Sequence, residues 1–382
     1  MQVQSGSKML ILHIITTIDR GGAENHLAEL VSGQIAKGHA VAVAYLKGDG
    51  YWAEYYRKLS VEVFPLGLKR YGDIKPLLLL RKAISVFRPD VVHAHMPPAE
   101  LYGRLSLIGA SSSIVFIISK HLDGGFFHGS EGQTESLLGA ASARLVARRA
   151  KHVIAVSQAV KNFVTSELVG LPTDKVTVVR HGIGTDAYEG VSAGAVADIR
   201  RRFGITDDEI TIGTVARLVP QKSLHILLAA FSRFHARVAC KSKLLIIGTG
   251  PLEADLRKLA DDLGISESVV WAGFREDIPV LMKAMDIFAL TSEYEGFGVV
   301  LIEAMAAEKP VIASRISAIP EVVEDGVSGI LYPYGDVSAL ADGLERLVDA
   351  SVRKRYGEAG KARVYECFSP GRMVAQTLSL YG

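Results

Sequence analysis

Short apolar runs alternate with amphipathic stretches along almost the whole chain. In the first half the runs fall at residues 10–16, 40–45, 61–64, 91–95, 114–119, 152–156 and 176–179, and helical spacing marks 23–37, 74–87 and 135–149. The second half repeats the pattern, with runs at 211–215, 243–247, 269–272, 287–290 and 311–313 between helical stretches near 223–237, 252–263, 299–307 and 337–349. Continuous apolar strands separated by helices predict parallel sheets covered on both faces. Repetition of β-α-β in both halves predicts an α/β chain of two doubly wound, Rossmann-like domains. Glycine and small residues crowd 181–197, which puts the boundary there, with an N-terminal domain over 1–185 and a C-terminal domain over 186–367. No short-period repeat is present. Two such domains facing each other form a cleft, and strand C-terminal ends point into it, where a doubly wound sheet takes its ligand.

Composition narrows the classes. The chain has 382 residues, 49% of them apolar and 22% charged, enough to build and cover two cores and too apolar for disorder. Its 43 Lys/Arg nearly balance 41 Asp/Glu, which argues against a nucleic-acid partner. The balance is uneven along the chain: residues 1–185 hold 21 basic against 14 acidic residues, net +7, and the remainder holds 22 against 27, net −5. A basic first unit suits anionic lipid or an anionic substrate. Two cysteines, Cys240 and Cys367, make no disulfide framework and fit a reducing cytoplasm. The uncharged stretch 105–119 is shorter than the roughly 18–20 apolar residues of a membrane span. The apolar run near the start imitates a signal peptide, but His13 interrupts it, Asp19-Arg20 follows and no cleavage site appears, so it reads as a buried first strand behind a loose extension at 1–8.

The densest candidate chemistry is Ser292-Glu293-Tyr294-Glu295-Gly296-Phe297-Gly298-Val299, ahead of Glu303. A strand ends before it and a helix begins within it. Gly296 and Gly298 let backbone N–H groups approach a ligand at the helix N-terminus, where an anion is favoured. Glu295 in the turn and Glu303 deeper in the helix offer two carboxylates to two sets of hydroxyls, as a sugar and a ribose present them. Arg217 and Lys222 share a strand-to-helix loop and suit a diphosphate, one as a planar fork and one as a point charge. Gly21 and Gly22 permit close approach to a phosphate or an acceptor. Gly248 and Gly250 lack the full G-x-G-x-x-G of a nicotinamide site. His93 and His95 alternate on one strand and share a side; with no third ligand evident, no metal site is expected. His121 ends a strand pointing into the cleft, and His128 and His181 are further cleft candidates.

On these motifs, over nearly the whole chain from Met9, the sequence resembles the GT-B-fold retaining glycosyltransferases of family 4 (glycosyl transferases group 1). The resemblance implies transfer of a sugar from a UDP- or GDP-linked donor to a hydroxyl acceptor, a lipid-linked or cell-surface polysaccharide intermediate such as one for LPS, capsule or exopolysaccharide. It implies that Arg217 and Lys222 neutralise the leaving diphosphate, that Glu295 holds sugar hydroxyls and that His121 positions the sugar, these four forming the catalytic set. It places Gly21, Gly22, Gly248, Gly250, Gly296, Phe297, Gly298, Val299 and Glu303 on the donor, with Phe274 beside the base. No cofactor is implied beyond the donor, and no metal. Attack from the front face follows, the leaving phosphate oxygen taking the acceptor's proton. The last helix, about 368–382 and capped by Ser369-Pro370, is expected to cross back onto the first domain. The chain departs from the family pattern at Ser317-Ala318-Ile319, where Gly-Gly is common, at His181, where Asn is common, and at Gly298, where Pro often follows Phe.

Two other readings use the same architecture: a nucleotide-sugar 2-epimerase, and a non-catalytic sugar-nucleotide-binding scaffold. The Glu-Gly-Phe-Gly…Glu run argues against the first and the intact charged set against the second. Basic residues Arg144, Arg148, Arg149 and Lys151, with aromatic Tyr51, Trp52, Tyr55 and Tyr56, permit peripheral contact with the inner face of the cytoplasmic membrane.

Overall fold

The computed structural model describes residues 8–19, 21–121, 144–167 and 169–382. It separates into two compact units, one built from the chain up to Gly182 together with Pro370–Gly382, the other from Ile183–Ser369. Residues 1–7, Arg20, His128 and the 135–143 part of one predicted helix lie outside the described residues; 144–149 is helical.

In the first unit, strands β1 (Leu10–Ile15), β2 (Ala40–Tyr45), β3 (Glu62–Pro65), β4 (Val91–His95), β5 (Val115–Lys120), β6 (His152–Ala155) and β7 (Val176–Val178) form one parallel sheet in the order β3-β2-β1-β4-β5-β6-β7. The order reverses between β1 and β4. Pleating sends Ile11, His13 and Ile15 to one face and Leu12 and Ile14 to the other. Helix Gly22–Ala36 and helix Pro370–Ser379 cover the first face, where Ile11, Leu30, Val91, Ile117, Met373, Val374 and Tyr381 form a core. The two helices meet at Gly33, where a Cβ would stand 2.4 Å from Val374 Cγ2. Helices Ile74–Phe87 and Pro97–Ser106 cover the opposite face. Helix Ala53–Lys58, absent from the sequence reading, buries Tyr56 completely, and Trp52 and Tyr55 pack on the same core. This corrects the aromatic patch expected there: the segment is interior packing, with Tyr51 alone of the four exposed.

In the second unit, β8 (Ile210–Val215), β9 (Ser242–Ile247), β10 (Val269–Gly273), β11 (Ile287–Leu290), β12 (Val311–Ser314) and β13 (Gly329–Tyr332) run parallel in the order β10-β9-β8-β11-β12-β13, reversing between β8 and β11. Phe231, Phe234, Leu244, Leu340 and Tyr356 anchor its core. β13 was not expected. It opens on Gly329, where a Cβ would lie 2.6 Å from the Val311 carbonyl oxygen, so the close strand pairing that makes it a strand also removes the side chain that would announce one.

Helix Ala350–Cys367 packs on helix Val299–Ala306. Glycine at 357 is poor for helix formation, yet a Cβ there would stand 2.3 Å from the Glu308 carbonyl oxygen. Helix propensity alone favours Gly→Ala by about 1 kcal/mol. Overpacking against fixed backbone costs about 1–3 kcal/mol. Gly357→Ala is therefore expected to lower the thermal midpoint, whereas Gly371→Ala, in helix Pro370–Ser379 with open space around it, raises it slightly. Thermal denaturation of both variants checks the pair, and stabilisation by both would show that the Gly357 contact carries no constraint.

Candidate functional site

In a doubly wound sheet the ligand crevice opens at the strand C-terminal ends where the order reverses. In the second unit those ends belong to β8 and β11, and the loops that follow them carry Arg217, Lys222 and Glu295. After β8 the backbone makes a tight turn over Pro220–Lys222 and passes through Ser223 in the left-handed region (φ 47°) before helix Leu224–Arg237. The two loops are laced together. Gln221 Nε2 donates to the Tyr294 carbonyl (2.9 Å), the Glu293 N–H donates to the Gln221 carbonyl (2.8 Å), and Thr291 Oγ1 donates to the Lys222 carbonyl (2.9 Å).

This lacing brings Lys222 Nζ onto Glu295 Oε1 as a half-buried ion pair. The same Oε1 accepts from Ser292 Oγ at 2.7 Å. Ser292 is held in turn by Ser314 Oγ, which donates to its carbonyl at 2.6 Å. One carboxylate oxygen is thus fixed twice, and Oε2 has no hydrogen-bond partner among the described residues. Lys222 keeps donors to spare, since an ammonium has three. Arg217 is exposed and makes no ion pair among the described residues.

Gly248 and Gly250 brace the Arg217 loop from β9. A Cβ at Gly248 would fall 1.9 Å from the Ala216 carbonyl oxygen, and one at Gly250 would fall 2.4 Å from that of Leu218. The Leu218 N–H donates to the Thr249 carbonyl at 3.0 Å. Packing of backbone on backbone therefore accounts for both glycines. Gly296, Phe297 and Gly298 are buried. The Phe297 ring is buried and meets Phe368 edge-on at 5.7 Å. Gly298 takes φ 89° and starts helix Val299–Ala306. Glu303 lies in that helix without a hydrogen-bond partner among the described residues, and burial pushes its carboxyl up to about 7. Phe274 is 45% exposed after β10, beside the Arg275–Asp277 bidentate pair (2.8 and 2.6 Å).

In the first unit the order reverses between β1 and β4, and there the structure gathers histidines. His13, His93 and His95 are fully buried on the face under helix Gly22–Ala36, joined by His26 from that helix, by His121 after β5 and by His181. His93 and His95 do share a side, as their alternation requires. His13 was missed as their companion. Its position in β1, opposite His93 in β4, was the available signal. Nitrogens of His13, His93 and His95 lie within 4.8 Å of one another, so the third nitrogen that the sequence lacked is supplied by β1. His13 is hydrogen-bonded to His95 and Gln34, and His93 to Tyr381 and Ser119. Burial lowers every member: His13 and His121 to about 4, and His26, His93, His95 and His181 well below their ordinary value. All six are neutral at pH 7. Beside His121, Lys120 pairs with Glu100 in the interior. At the Gly21-Gly22 loop, Glu24 folds back so that its Oε2 stands 2.4 Å from where a Gly21 Cβ would be.

Comparison with known sequences assigns both halves. Residues 20–187 match the family described as Glycosyltransferase Family 4, and residues 196–363 match that described as Glycosyl transferases group 1. The uncharacterized glycosyltransferase MJ1607 of Methanocaldococcus jannaschii is 34% identical over 60% of this chain and 59% of its own length. The N-acetyl-alpha-D-glucosaminyl L-malate synthase of Bacillus anthracis is 28% identical over 55% of this chain, again 59% of its own length. The chain thus spans about three-fifths of these curated relatives. Among solved structures, Anabaena Alr3699/HepE in complex with UDP and glucose superposes with a TM-score of 0.83 at 25% identity, over 97% of this chain and 99% of that one.

The raised Glu303 carboxyl has a measurable sign. Its ordinary value is 4.5, so between about 4.5 and 7 the folded chain holds a proton that the unfolded chain has released. The contribution of Glu303 to stability therefore falls as pH rises through that window and is flat above it. Glu303→Gln is expected to gain thermal midpoint over the parent progressively from pH 4.5 to pH 7. Parallel melting curves across the window would show that the carboxyl is not desolvated.

Proposed function

Since the chain belongs to the family 4 glycosyltransferases, in two parallel α/β units of GT-B type, we propose that it moves a sugar, with retention, from a UDP-linked donor to a hydroxyl acceptor. The observation that carries this reading is the Lys222–Glu295 pair at the β8/β11 reversal, with Arg217 exposed in the same loop. Arg217 and the spare donors of Lys222 take the diphosphate and stabilise the charge that develops as it leaves. Oε2 of Glu295, oriented by the two bonds to Oε1, accepts from hydroxyls of the transferred sugar. Glu303, a carboxylate still lacking donors, takes the ribose hydroxyls, and Phe274 borders the base. Backbone N–H groups from Gly296 to Val299, at a helix N-terminus, add to the anion's field. For the first unit, taken by itself, we propose His121 as a partner of a sugar hydroxyl and the Gly21-Gly22 loop as a contact of the acceptor. The acceptor hydroxyl attacks from the side the diphosphate leaves, and a phosphate oxygen receives its proton. The resemblance to Anabaena Alr3699/HepE with UDP bound supports the choice of uridine over guanosine.

Thermal shift with UDP, GDP, ADP, TDP and CDP, with and without magnesium, tests the donor. Stabilisation by UDP is expected, and a larger shift with another diphosphate would reassign the base. Lys222→Ala and Glu295→Ala are each expected to cut transfer by at least about a hundredfold while the chain still folds, as loss of a preorganised electrostatic group does. Near-normal turnover in either variant would overturn the assignment.

The acceptor class we propose is a lipid-linked glycan intermediate reached from the membrane surface. Among the described residues no helix is long and apolar enough to cross a membrane. The cations first considered for surface contact are mostly engaged. Arg144 donates to the Val169 and Glu167 carbonyls, Arg149 to that of Ile114 and Lys151 to that of Gly382. A better surface lies on helix Ile74–Phe87, where Ile74 and Leu78 are 67% and 59% exposed beside Lys75 and Lys82, with Tyr71 ahead of them. Apolar and basic side chains on one exposed helix face suit an anionic lipid surface. Cosedimentation with phosphatidylglycerol vesicles is expected at low salt and is weakened by Lys75→Glu with Lys82→Glu. Failure to bind such vesicles at low salt would favour a soluble acceptor.

A further inference from the structure

The buried histidines of the first unit form a directed chain. Gln34 in helix Gly22–Ala36 places its amide Nε2 toward Tyr381 Oη (3.1 Å) and its Oε1 toward His13 Nε2 (2.8 Å). Oε1 is an acceptor only, so His13 carries its proton on Nε2 and leaves Nδ1 bare. The 3.0 Å contact between His13 Nδ1 and His95 Nε2 is then a bond donated by His95. A neutral His95 therefore leaves its own Nδ1 bare, and the 3.3 Å contact to His121 Nε2 is donated by His121. The chain ends at His121 Nδ1, a buried lone pair with no partner among the described residues. On the other side of Gln34, Tyr381 Oη donates to His93 Nδ1 (2.7 Å), and His93 Nε2 donates to Ser119 Oγ (2.7 Å). Every link is satisfied except the last. Turning the Gln34 amide over would reverse each bond and put a proton on His121 Nδ1, so one side-chain amide sets the polarity of the whole line.

We propose that Gln34, His13 and His95 are positioning residues that fix the tautomer of His121, presenting its Nδ1 as a hydrogen-bond acceptor for a sugar hydroxyl. The identity of that hydroxyl rests on the glycosyltransferase reading; the tautomer does not. A buried acceptor without a donor is costly until a ligand supplies one, which gives the line an open end with a use. Burial also keeps the members neutral, and a neutral imidazole passes on a definite donor-acceptor sense. The rings of His26, His95 and His181, 5.3, 5.6 and 5.6 Å from that of His121, and the Lys120 ammonium, paired with Glu100, surround the terminal imidazole. A proton added there would meet a cation and three further imidazoles.

The test is nitrogen-15 NMR of the full chain with labelled histidine, with His121→Asn to assign the His121 signals. Without substrate, the parent is expected to show His121 protonated on Nε2 and bare on Nδ1. His13→Phe keeps the ring's bulk and removes the acceptor of His95. It is expected to shift His121 toward the Nδ1–H form and to lower kcat about tenfold, the equivalent of one neutral hydrogen bond, with the KM for the donor nucleotide little changed. Gln34→Leu breaks the line one step earlier and gives the same readings if His13→Phe fails to fold. A parent His121 protonated on Nδ1, or unmoved His121 signals in a folded variant, would overturn the relay. The predicted tautomers in a chain that transfers no sugar would leave the relay standing and overturn the glycosyltransferase reading.

Discussion

The fold is governed by the direction of its strands. When every strand of a sheet runs the same way, every strand-to-helix loop emerges at one end, and helices must cover both faces. One place at that end is left open, between the two neighbouring strands whose connections depart in opposite directions. Each unit has one such place, at β1/β4 and at β8/β11. The polar residues that a core would ordinarily reject collect there: six histidines in the first unit, and Lys222, Glu295 and Ser292 in the second. Elsewhere the same faces are filled by Ile11, Val91 and Ile117, or by Leu244, Leu340 and Phe231.

The two places solve the problem of buried polarity differently. In the second unit a cation and a carboxylate neutralise each other, and the carboxylate is further held by Ser292 and, through it, by Ser314. Taking two charges out of water is costly, and the close approach of the pair with its extra hydrogen bonds offsets part of that cost. In the first unit no charge is kept on the histidines. Burial holds them neutral, and His13, His95 and His121 are linked through alternating donor and acceptor nitrogens, with His121 Nδ1 left open. A charged end that can re-pair suits an anionic ligand; a neutral one suits hydroxyls.

The strands carrying both places were legible because a parallel strand buried on both faces is a nearly unbroken apolar run, as in Leu-Ile-Leu-His-Ile-Ile or Ile-Phe-Ala-Leu. The loops were legible where glycine and charge coincide, as at Glu295 to Gly298. β13 was not, since Gly329 leaves room for Val311 in place of a side chain of its own. Helix Ala350–Cys367 was not, since Gly357 and Gly360 interrupt its pattern for the sake of close packing. The histidine line escaped for another reason. His13, Gln34, His95 and Tyr381 are far apart in sequence, and only the β1–β4 register and the packing of the last helix on helix Gly22–Ala36 bring them together. Helix Ala53–Lys58 shows the converse error, where Tyr55 and Tyr56 suggested surface aromatics and prove to be core.

Close backbone approach links these observations. Gly248, Gly250, Gly33, Gly329 and Gly357 each stand where a Cβ would meet a neighbour within about 2.6 Å. Of these, Gly248 and Gly250 pull the β9 loop onto the strand end that carries Arg217, and Gly33 lets helix Pro370–Ser379 reach helix Gly22–Ala36. Without that last approach Tyr381 would not meet Gln34, and the histidine line would have no anchor at its interior end. The polar chemistry at each reversal thus depends on glycines that let backbone and helices approach closely. Substitution at such positions acts on function through packing, by moving a strand end or a helix a fraction of an ångström in an interior that tolerates little displacement.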